Sequence, residues 1–220
     1  MFPDDRQKGS RGGMAEEKKP KILVTYVEAG HGHIVAAEAI AAALTQRHGE
    51  ECEIIERHIL RESGQAHLRR FERFLVRQVC GYSRNPLIAR IEIGAMRLFG
   101  ARNTLRLMHR TVFRRAVRLT VEEYGRLCPD VIVSTHYFTA YAAAEYRERY
   151  APECKIIVYC PDNNVHGWWD SRADVLYTNN VRATVDAQRY GFPRELVRNT
   201  LERHSYIPDQ TFIFLPAIKK

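Results

Sequence analysis

Short apolar runs alternate along this chain with segments whose apolar positions recur every three to four residues. The run at 22–27 is β-branched and aromatic, and it has the length of a buried parallel strand. Ala37, Ile40, Ala41 and Leu44 then mark one apolar face of a helix. Further strands are predicted at 52–56, 130–134, 155–159 and 174–178, with helices at 137–150 and 181–190. This alternation predicts an α/β fold: a Rossmann-like, doubly wound, mostly parallel sheet.

The pattern also divides the chain into segments. Residues 1–20 are polar and aperiodic, which predicts a disordered tail. The α/β domain is expected over 21–200, with basic helices inserted at 57–127 and predicted in detail at 66–80, 86–99 and 102–127. The segment 201–220 carries an apolar run at 209–218, and we interpret it as the truncated start of a further domain.

Positive charge is concentrated in this helical insertion. The chain has a net charge of +8, and residues 57–118 contain fifteen arginines but only three acidic residues. Several arginines recur every four residues beside apolar positions and so form basic stripes: Arg69, Arg73, Arg77, Arg102, Arg106, Arg110, Arg114 and Arg118. Basic stripes flanking aliphatic anchors favour an anionic membrane surface. Nucleic acid, which exploits the same charge, and a solvated helical face are the alternatives.

Other classes of protein are disfavoured by composition. No stretch approaches the roughly 20 apolar residues of a membrane span, and no apolar core follows the N-terminal Met. The five cysteines are odd in number and lack CxxC spacing, which favours a reduced compartment over a disulfide framework. We therefore expect a cytoplasmic protein, and the basic stripes favour one that is peripheral on a membrane.

The loop after the first strand is the first candidate for chemistry, because open α/β sheets bind ligands at the carboxyl ends of their strands. It contains Glu28, Gly30, His31, Gly32 and His33. The loop lacks the G-x-G-x-x-G dinucleotide fingerprint, but it leads to a helix N-terminus that favours an anion. Glu28 is placed to act as a general base, with His33 beside it. A tight turn in which Glu28 only complements the helix dipole is the alternative.

Two later loops add polar and aromatic residues at the same edge of the sheet. His136 follows the strand at 130–134, while Asp162, His166 and Trp169 follow the strand at 155–159. Carboxylate, imidazole and indole suit recognition of a hydroxylated or cationic small group. The histidines also admit a metal site, but no spacing matches a zinc signature, so no metal is predicted. A hydrogen-bonded loop histidine and a packed tryptophan are the alternatives.

Three motifs resemble the N-terminal domain of the monogalactosyldiacylglycerol synthase and processive diacylglycerol glucosyltransferase family, over about residues 20–200. They are Gly30, Gly32 and His33 followed by the sequence AEAI, the segment PDVIVSTH that ends at His136, and the residues Asp162, His166, Trp169 and Asp174. Members are two-domain GT-B glycosyltransferases. The resemblance implies transfer of a hexose from a UDP-sugar to diacylglycerol or a glycolipid.

The resemblance also implies residue roles. Glu28 matches the candidate base, where the family commonly has Asp, and His33 matches the loop histidine. The residues lining the acceptor cleft are matched by Gly30, His31, Gly32, His136, Asp162, His166 and Trp169. The basic helices would dock on anionic lipids at the inner face of the cell membrane. UDP-sugar would be a donor substrate bound mostly by a separate nucleotide-sugar domain, and neither a cofactor nor a metal is implied.

The chain departs from the family pattern at three positions. His31 stands where many members have glycine, and Tyr137 and Pro161 replace Pro and Thr. There are two alternatives to an enzyme domain. One is a non-catalytic module that binds an anionic membrane or nucleic acid through the arginines. The other is a stand-alone nucleotide- or metal-binding domain that uses only the first loop.

Overall fold

A computed structural model describes residues 18–28, 30–84, 87, 90 and 101–200. Its centre is a six-stranded, entirely parallel sheet in the order β2-β1-β3-β4-β5-β6. The strands are β1 (Lys21–Thr25), β2 (Glu53–Arg57), β3 (Val131–Ser134), β4 (Lys155–Cys160), β5 (Val175–Thr178) and β6 (Val197–Asn199). The α/β class and the parallel sheet predicted from the sequence are therefore confirmed.

Helices cover both faces of this sheet. They are α1 (His31–His48), α2 (Ile59–Glu62), α3 (Ala66–Arg84), α4 (Ala101–Arg110), α5 (Arg114–Leu127), α6 (Tyr137–Tyr150) and α7 (Val181–Arg189). Successive side chains of a strand point to opposite faces. Accordingly, Ile22 and Val24 pack in the core beneath α1, whereas Leu23 packs in the larger core that contains α3, α5 and α6. The apolar face predicted for the first helix is buried at Ala37, Ala41 and Leu44.

The sequence predicts one helix over 102–127 in the basic segment, and the structure differs. It forms two helices, α4 and α5, separated by a turn at 111–113. The Thr111 hydroxyl donates to the Leu107 carbonyl at 2.6 Å, and the Phe113 amide reaches back to the Met108 carbonyl at 2.8 Å. Phe113 is 3% exposed and contacts the Phe71 ring at 5.0 Å. Burial of this ring redirects the chain, so the arginine spacing of four does not continue along one helix.

Several predictions fall wholly or partly outside the described residues. Of the predicted tail only residues 18–20 are described, and they have no regular structure. Of the helix predicted over 86–99, only Leu87 and Arg90 are described, and both are helical. The whole of 201–220 lies outside. Two short elements, α2 and β6, were not predicted.

The parallel arrangement determines where the candidate residues lie. Because all six strands run in one direction, the segments that follow β1, β2, β3 and β4 emerge at one edge of the sheet. The order places β1 between β2 and β3, and β4 beside β3. Residues 28–33, 58, 135–137 and 161–170 therefore start from this common edge. Among the described residues, every helix is too short or too polar to cross a bilayer.

Candidate functional site

The first loop turns directly from β1 into α1. Gly30 precedes the helix with φ +135°, a conformation that side chains rarely adopt, so glycine suits this turn. His31 and Gly32 are exposed in the first helical turn. A Cβ at Gly32 would lie 3.9 Å from the Pro161 side chain, so the first turn approaches the loop after β4. The helix N-terminus therefore opens beside that second loop.

His33 is the most tightly positioned residue of this loop. Its ring Nδ1 lies 2.5 Å from the Thr135 carbonyl, and the Thr135 hydroxyl donates to the His33 carbonyl at 2.9 Å. A carbonyl can only accept, so Nδ1 carries the proton and Nε2 holds a free electron pair in the neutral ring. Nε2 lies 3.8 Å from Asp162 Oδ1. His33 is therefore fixed in the tautomer that a proton acceptor requires.

His136 begins α6 on the neighbouring strand. Its ring accepts the Phe138 amide at 3.2 Å and caps the helix. The same ring contacts that of His33 edge-on, with centroids 5.0 Å apart. It is 1% exposed, and this burial places the pKa of His136 well below its usual value, with His33 and His166 adding to the effect. His136 is therefore a neutral structural cap that supports His33.

The loop after β4 supplies the opposite wall. Asp162 lies between two imidazoles, since its second carboxylate oxygen is 4.0 Å from His166 Nε2. The His166 ring accepts the Trp168 amide at 3.3 Å. Burial lowers the pKa of His166, although the Asp162 charge opposes this shift. We call His33, His136, Asp162 and His166 the histidine cluster.

Aromatic residues pack around the histidine cluster. The Tyr137 ring lies 5.1 Å from Trp168 and 5.8 Å from His166, edge-on in both contacts. Trp169 is 2% exposed and belongs to the hydrophobic core. The loop itself is held down because Asn179 donates to the Pro161 carbonyl at 2.9 Å. This hydrogen bond and the burial of Trp169 in the core anchor the loop to the sheet.

Glu28 has a different set of neighbours from the histidine cluster. Its carboxylate forms an ion pair with Arg61 on α2 at 2.9 Å. It also lines a cleft of about 480 Å³ together with residues of α2 and α3, which we call the arginine cleft. The residues lining the cleft are Glu28, Arg61, Arg69, Glu72, Arg73, Val76 and Arg77. The first loop therefore contacts the basic helices directly.

The predicted basic stripes are exposed where their side chains are described. Arg118 pairs with Glu122 at 3.6 Å, and Arg69 bonds the Gly64 carbonyl at 3.4 Å. The other members form no ion pair with any described residue: Arg73, Arg77, Arg106, Arg110 and Arg114. The side chain of Arg102 lies outside the described set. This surface carries unneutralised positive charge.

Exposed apolar side chains accompany these arginines. Phe74, Leu107 and Val112 are 40%, 64% and 71% exposed, and we call them the apolar anchors. Phe74 lies 6.2 Å from the Phe113 ring, Val112 precedes Phe113, and the Leu107 carbonyl accepts the Thr111 hydroxyl. The three anchors therefore surround the turn between α4 and α5.

Sequence reasoning missed four contributors to these sites: Thr135, Arg61, His58 and Glu72. Thr135 acts through its backbone carbonyl, which carries no residue signature. His58 directly follows β2 and thus starts from the ligand-binding edge, a signal that the sequence offered. Glu72 is one acidic residue on a basic helix. Its role could not be predicted from the sequence, because its proximity to Glu28 depends on how α3 packs beside the first loop.

The fold and this edge define an α/β protein of the Rossmann-like class with a polar site at the carboxyl ends of its central strands. No family model matches the chain, and no curated protein or solved structure is significantly similar to it.

Proposed function

We propose that this chain is the acceptor-binding domain of a glycolipid glycosyltransferase that acts at an anionic membrane surface. The reaction is transfer of a hexose from a UDP-sugar to a hydroxyl of diacylglycerol or a glycolipid. One observation carries the proposal. The loop predicted to hold the acceptor is joined to the basic helices through the Glu28–Arg61 ion pair at 2.9 Å. A lipid hydroxyl at the membrane surface would thus lie close to the candidate base.

The histidine cluster supports a route for the proton. His33 Nε2 has a free electron pair, and its 3.8 Å separation from Asp162 leaves room for an acceptor hydroxyl to approach both. As the acceptor oxygen attacks the anomeric carbon, its proton passes to His33 Nε2 and the bond to the UDP oxygen breaks. Asp162 then stabilises the imidazolium. Glu28 is the second candidate base, and Arg61 occupies one of its two carboxylate oxygens.

A reconstituted transfer assay tests the enzymatic part. The chain is combined with a nucleotide-sugar domain, and hexose transfer to diacylglycerol in vesicles is measured. We expect His33→Asn to lower the rate by about 100-fold or more, since general bases contribute 10²–10⁴-fold. His67→Asn on α3 removes an imidazole outside the histidine cluster and should leave the rate unchanged. Full activity of His33→Asn with loss in Glu28→Gln would instead identify Glu28 as the base.

Vesicle flotation tests the membrane part. We expect the chain to float with vesicles containing anionic lipid and to be released when Arg106, Arg110 and Arg114 are changed to Glu. The matched control changes Arg182, Arg189 and Arg194 to Glu, which alters net charge equally on and after α7. Equal release by both triple variants would contradict a specific basic surface.

A non-catalytic module that binds nucleic acid is the second candidate, because unpaired arginines attract any polyanion. The apolar anchors favour lipid, since two of the three are aliphatic and cannot stack on bases. Binding to duplex DNA or RNA that exceeds vesicle binding at the same salt concentration would favour this candidate.

A further inference from the structure

A second group of ligand-type side chains consists of two residues that line the arginine cleft, Glu28 and Glu72, together with the neighbouring His58. Glu28 follows β1, His58 follows β2, and Glu72 lies on α3. One ligand atom from each lies within 4.8 Å of the other two. Glu28 is exposed, whereas His58 and Glu72 are only 5% and 6% exposed. This group is distinct from the histidines considered above as a metal site.

The buried pair is chemically unusual. His58 Nε2 and Glu72 Oε1 lie 2.6 Å apart. Neither atom meets hydrogen-bond geometry with any residue of the described chain. Buried polar atoms are normally satisfied by a partner. The two facing atoms lie beside a third carboxylate, and a ligand bound by all three side chains would satisfy both of them.

We propose that Glu28, His58 and Glu72 bind a first-row divalent cation, with Zn²⁺ the preferred ion. Imidazole nitrogen and carboxylate oxygen are ligand types that zinc binds, and three protein ligands leave the fourth tetrahedral position open. Two carboxylates neutralise the charge of the ion. Because Glu28 lies at the surface, the open position faces the arginine cleft.

Little movement is needed to close this set around an ion. Ligands around tetrahedral zinc lie about 3.3 Å apart, as follows from bond lengths of about 2.0–2.1 Å. His58 Nε2 and Glu72 Oε1 are already closer together than this. The exposed Glu28 is therefore the side chain that must move toward the ion. Arg61 bonds Glu28 Oε2 and leaves Oε1 free. Arg61 thus orients the carboxylate from outside the coordination sphere.

The imidazole of His58 must change tautomer to bind the ion. Its Nδ1 accepts the Arg61 amide at 3.3 Å, so in the metal-free ring the proton lies on Nε2. When Nε2 binds the ion, this proton moves to Nδ1, and the hydrogen bond from the Arg61 amide to Nδ1 is lost. The Arg61 amide keeps its backbone bond to the His58 carbonyl at 3.1 Å, so α2 loses only the side-chain part of its cap.

The arginines of the cleft do not prevent cation binding. Arg69, Arg73 and Arg77 are exposed, and charges at the surface are screened by salt within about 8–10 Å. They also favour an anion, which can occupy the open position of the ion.

Metal titration tests this proposal without reference to glycosyl transfer. The metal-free chain is titrated with Zn²⁺ by calorimetry, and bound metal is counted after dialysis. We expect one Zn²⁺ per chain in the wild type and affinity at least about 100-fold weaker in Glu28→Gln, Glu72→Gln and His58→Asn. Glu28→Gln is the decisive variant, because an exposed side chain can be replaced without disturbing the core. Substitution with Co²⁺ adds a visible spectrum that reports nitrogen and oxygen ligands.

Asp162→Asn is the matched control, because it disrupts the histidine cluster and leaves the three ligands intact. It should keep wild-type Zn²⁺ affinity. Loss of binding in Asp162→Asn with retention in Glu28→Gln would place the ion in the histidine cluster and overturn the proposal. Absence of saturable Zn²⁺ binding by the wild type would also overturn it, leaving His58 and Glu72 as a proton-sharing pair.

Discussion

Single residues in this fold show how burial determines protonation. His109 on α4 lies among Phe113, Phe138 and Tyr141, with ring centroids 5.6, 5.9 and 3.8 Å away. Neither of its ring nitrogens has a hydrogen-bond partner among the described residues. Burial lowers the pKa of His109 to about 4, and the charges of Asp170 and Glu145 offset only part of this effect. The folded protein therefore holds a neutral imidazole inside an aromatic pocket.

This residue should make the protein acid-sensitive. In the unfolded chain His109 takes up a proton near pH 6.5, whereas in the folded chain it does so near pH 4. Its contribution to stability is therefore complete above pH 6.5 and is lost as the pH falls through this window, by up to about 3 kcal/mol. We expect His109→Phe to reduce the loss. Urea unfolding at pH 7, 6 and 5 measures it.

The control for this prediction is His31→Gln, which changes an exposed histidine at the start of α1. It should leave the dependence of the unfolding free energy on pH as in the wild type. An equally steep loss of stability in His109→Phe would show that other groups dominate acid sensitivity.

At the scale of elements, the turn between α4 and α5 has two adjacent residues with opposite surroundings. Phe113 is 3% exposed and contacts two phenylalanine rings of α3, whereas Val112 is 71% exposed. Phe113 thus attaches the basic helices to the core. Val112 projects outward between arginines.

We expect the two positions to respond oppositely to alanine. Phe113→Ala should lower the free energy of unfolding by about 3 kcal/mol or more, because it removes a large buried ring and leaves a cavity. Val112→Ala should change it by less than about 0.5 kcal/mol, as is usual at exposed positions. Chemical denaturation measures both. In flotation we expect the opposite order, with Val112→Ala weakening vesicle binding more than Phe113→Ala does. Equal losses of stability in the two variants would contradict the assignment of Phe113 to the core and Val112 to the surface.

The elements themselves differ in how well sequence predicts them. The central strands were predictable because runs such as VIVS are apolar on both faces, as a strand covered by helices on both sides must be. The break at 111–113 was not, because arginines recur every four residues across it while the burial of Phe113 depends on distant residues of α3. The three-residue strand β6 is too short to give a periodic signal.

The candidate site was predictable in its location but not in its contacts. Strand ends at one edge placed His33, His136, Asp162 and His166 together, as the structure shows. The pairing of Glu28 with Arg61 was not foreseeable, because it depends on how the β2–β3 connection folds back. The roles of these residues in proton transfer and the identity of the substrate stay predictions.

At the scale of the whole molecule, positive charge and apolar side chains share the connection between β2 and β3. The net charge is +8, and this connection holds all five of the arginines named above as forming no ion pair with a described residue. Electrostatic attraction to an anionic surface weakens with salt, whereas burial of apolar anchors in lipid does not. Vesicle binding should therefore have two components.

Ionic strength separates these components. We expect affinity for anionic vesicles to fall steeply between 0.05 and 0.5 M NaCl and to level off at a salt-resistant remainder. A variant with Leu107→Ala and Val112→Ala should lose the salt-resistant vesicle binding and keep the steep, salt-dependent fall in affinity. Flotation or surface plasmon resonance across the salt series measures both. A double variant with an unchanged remainder would show that these two side chains stay outside the lipid.

The position of β1 between β2 and β3 has a consequence for the basic helices. Since β2 and β3 are parallel and separated by β1, the chain between them must travel back along the sheet before β3 can begin. The basic helices therefore form the connection that β3 requires, and they belong to the fold itself. Vesicles that bind these helices only in the folded chain should therefore raise its melting temperature, because a ligand of the folded state shifts the equilibrium away from unfolding.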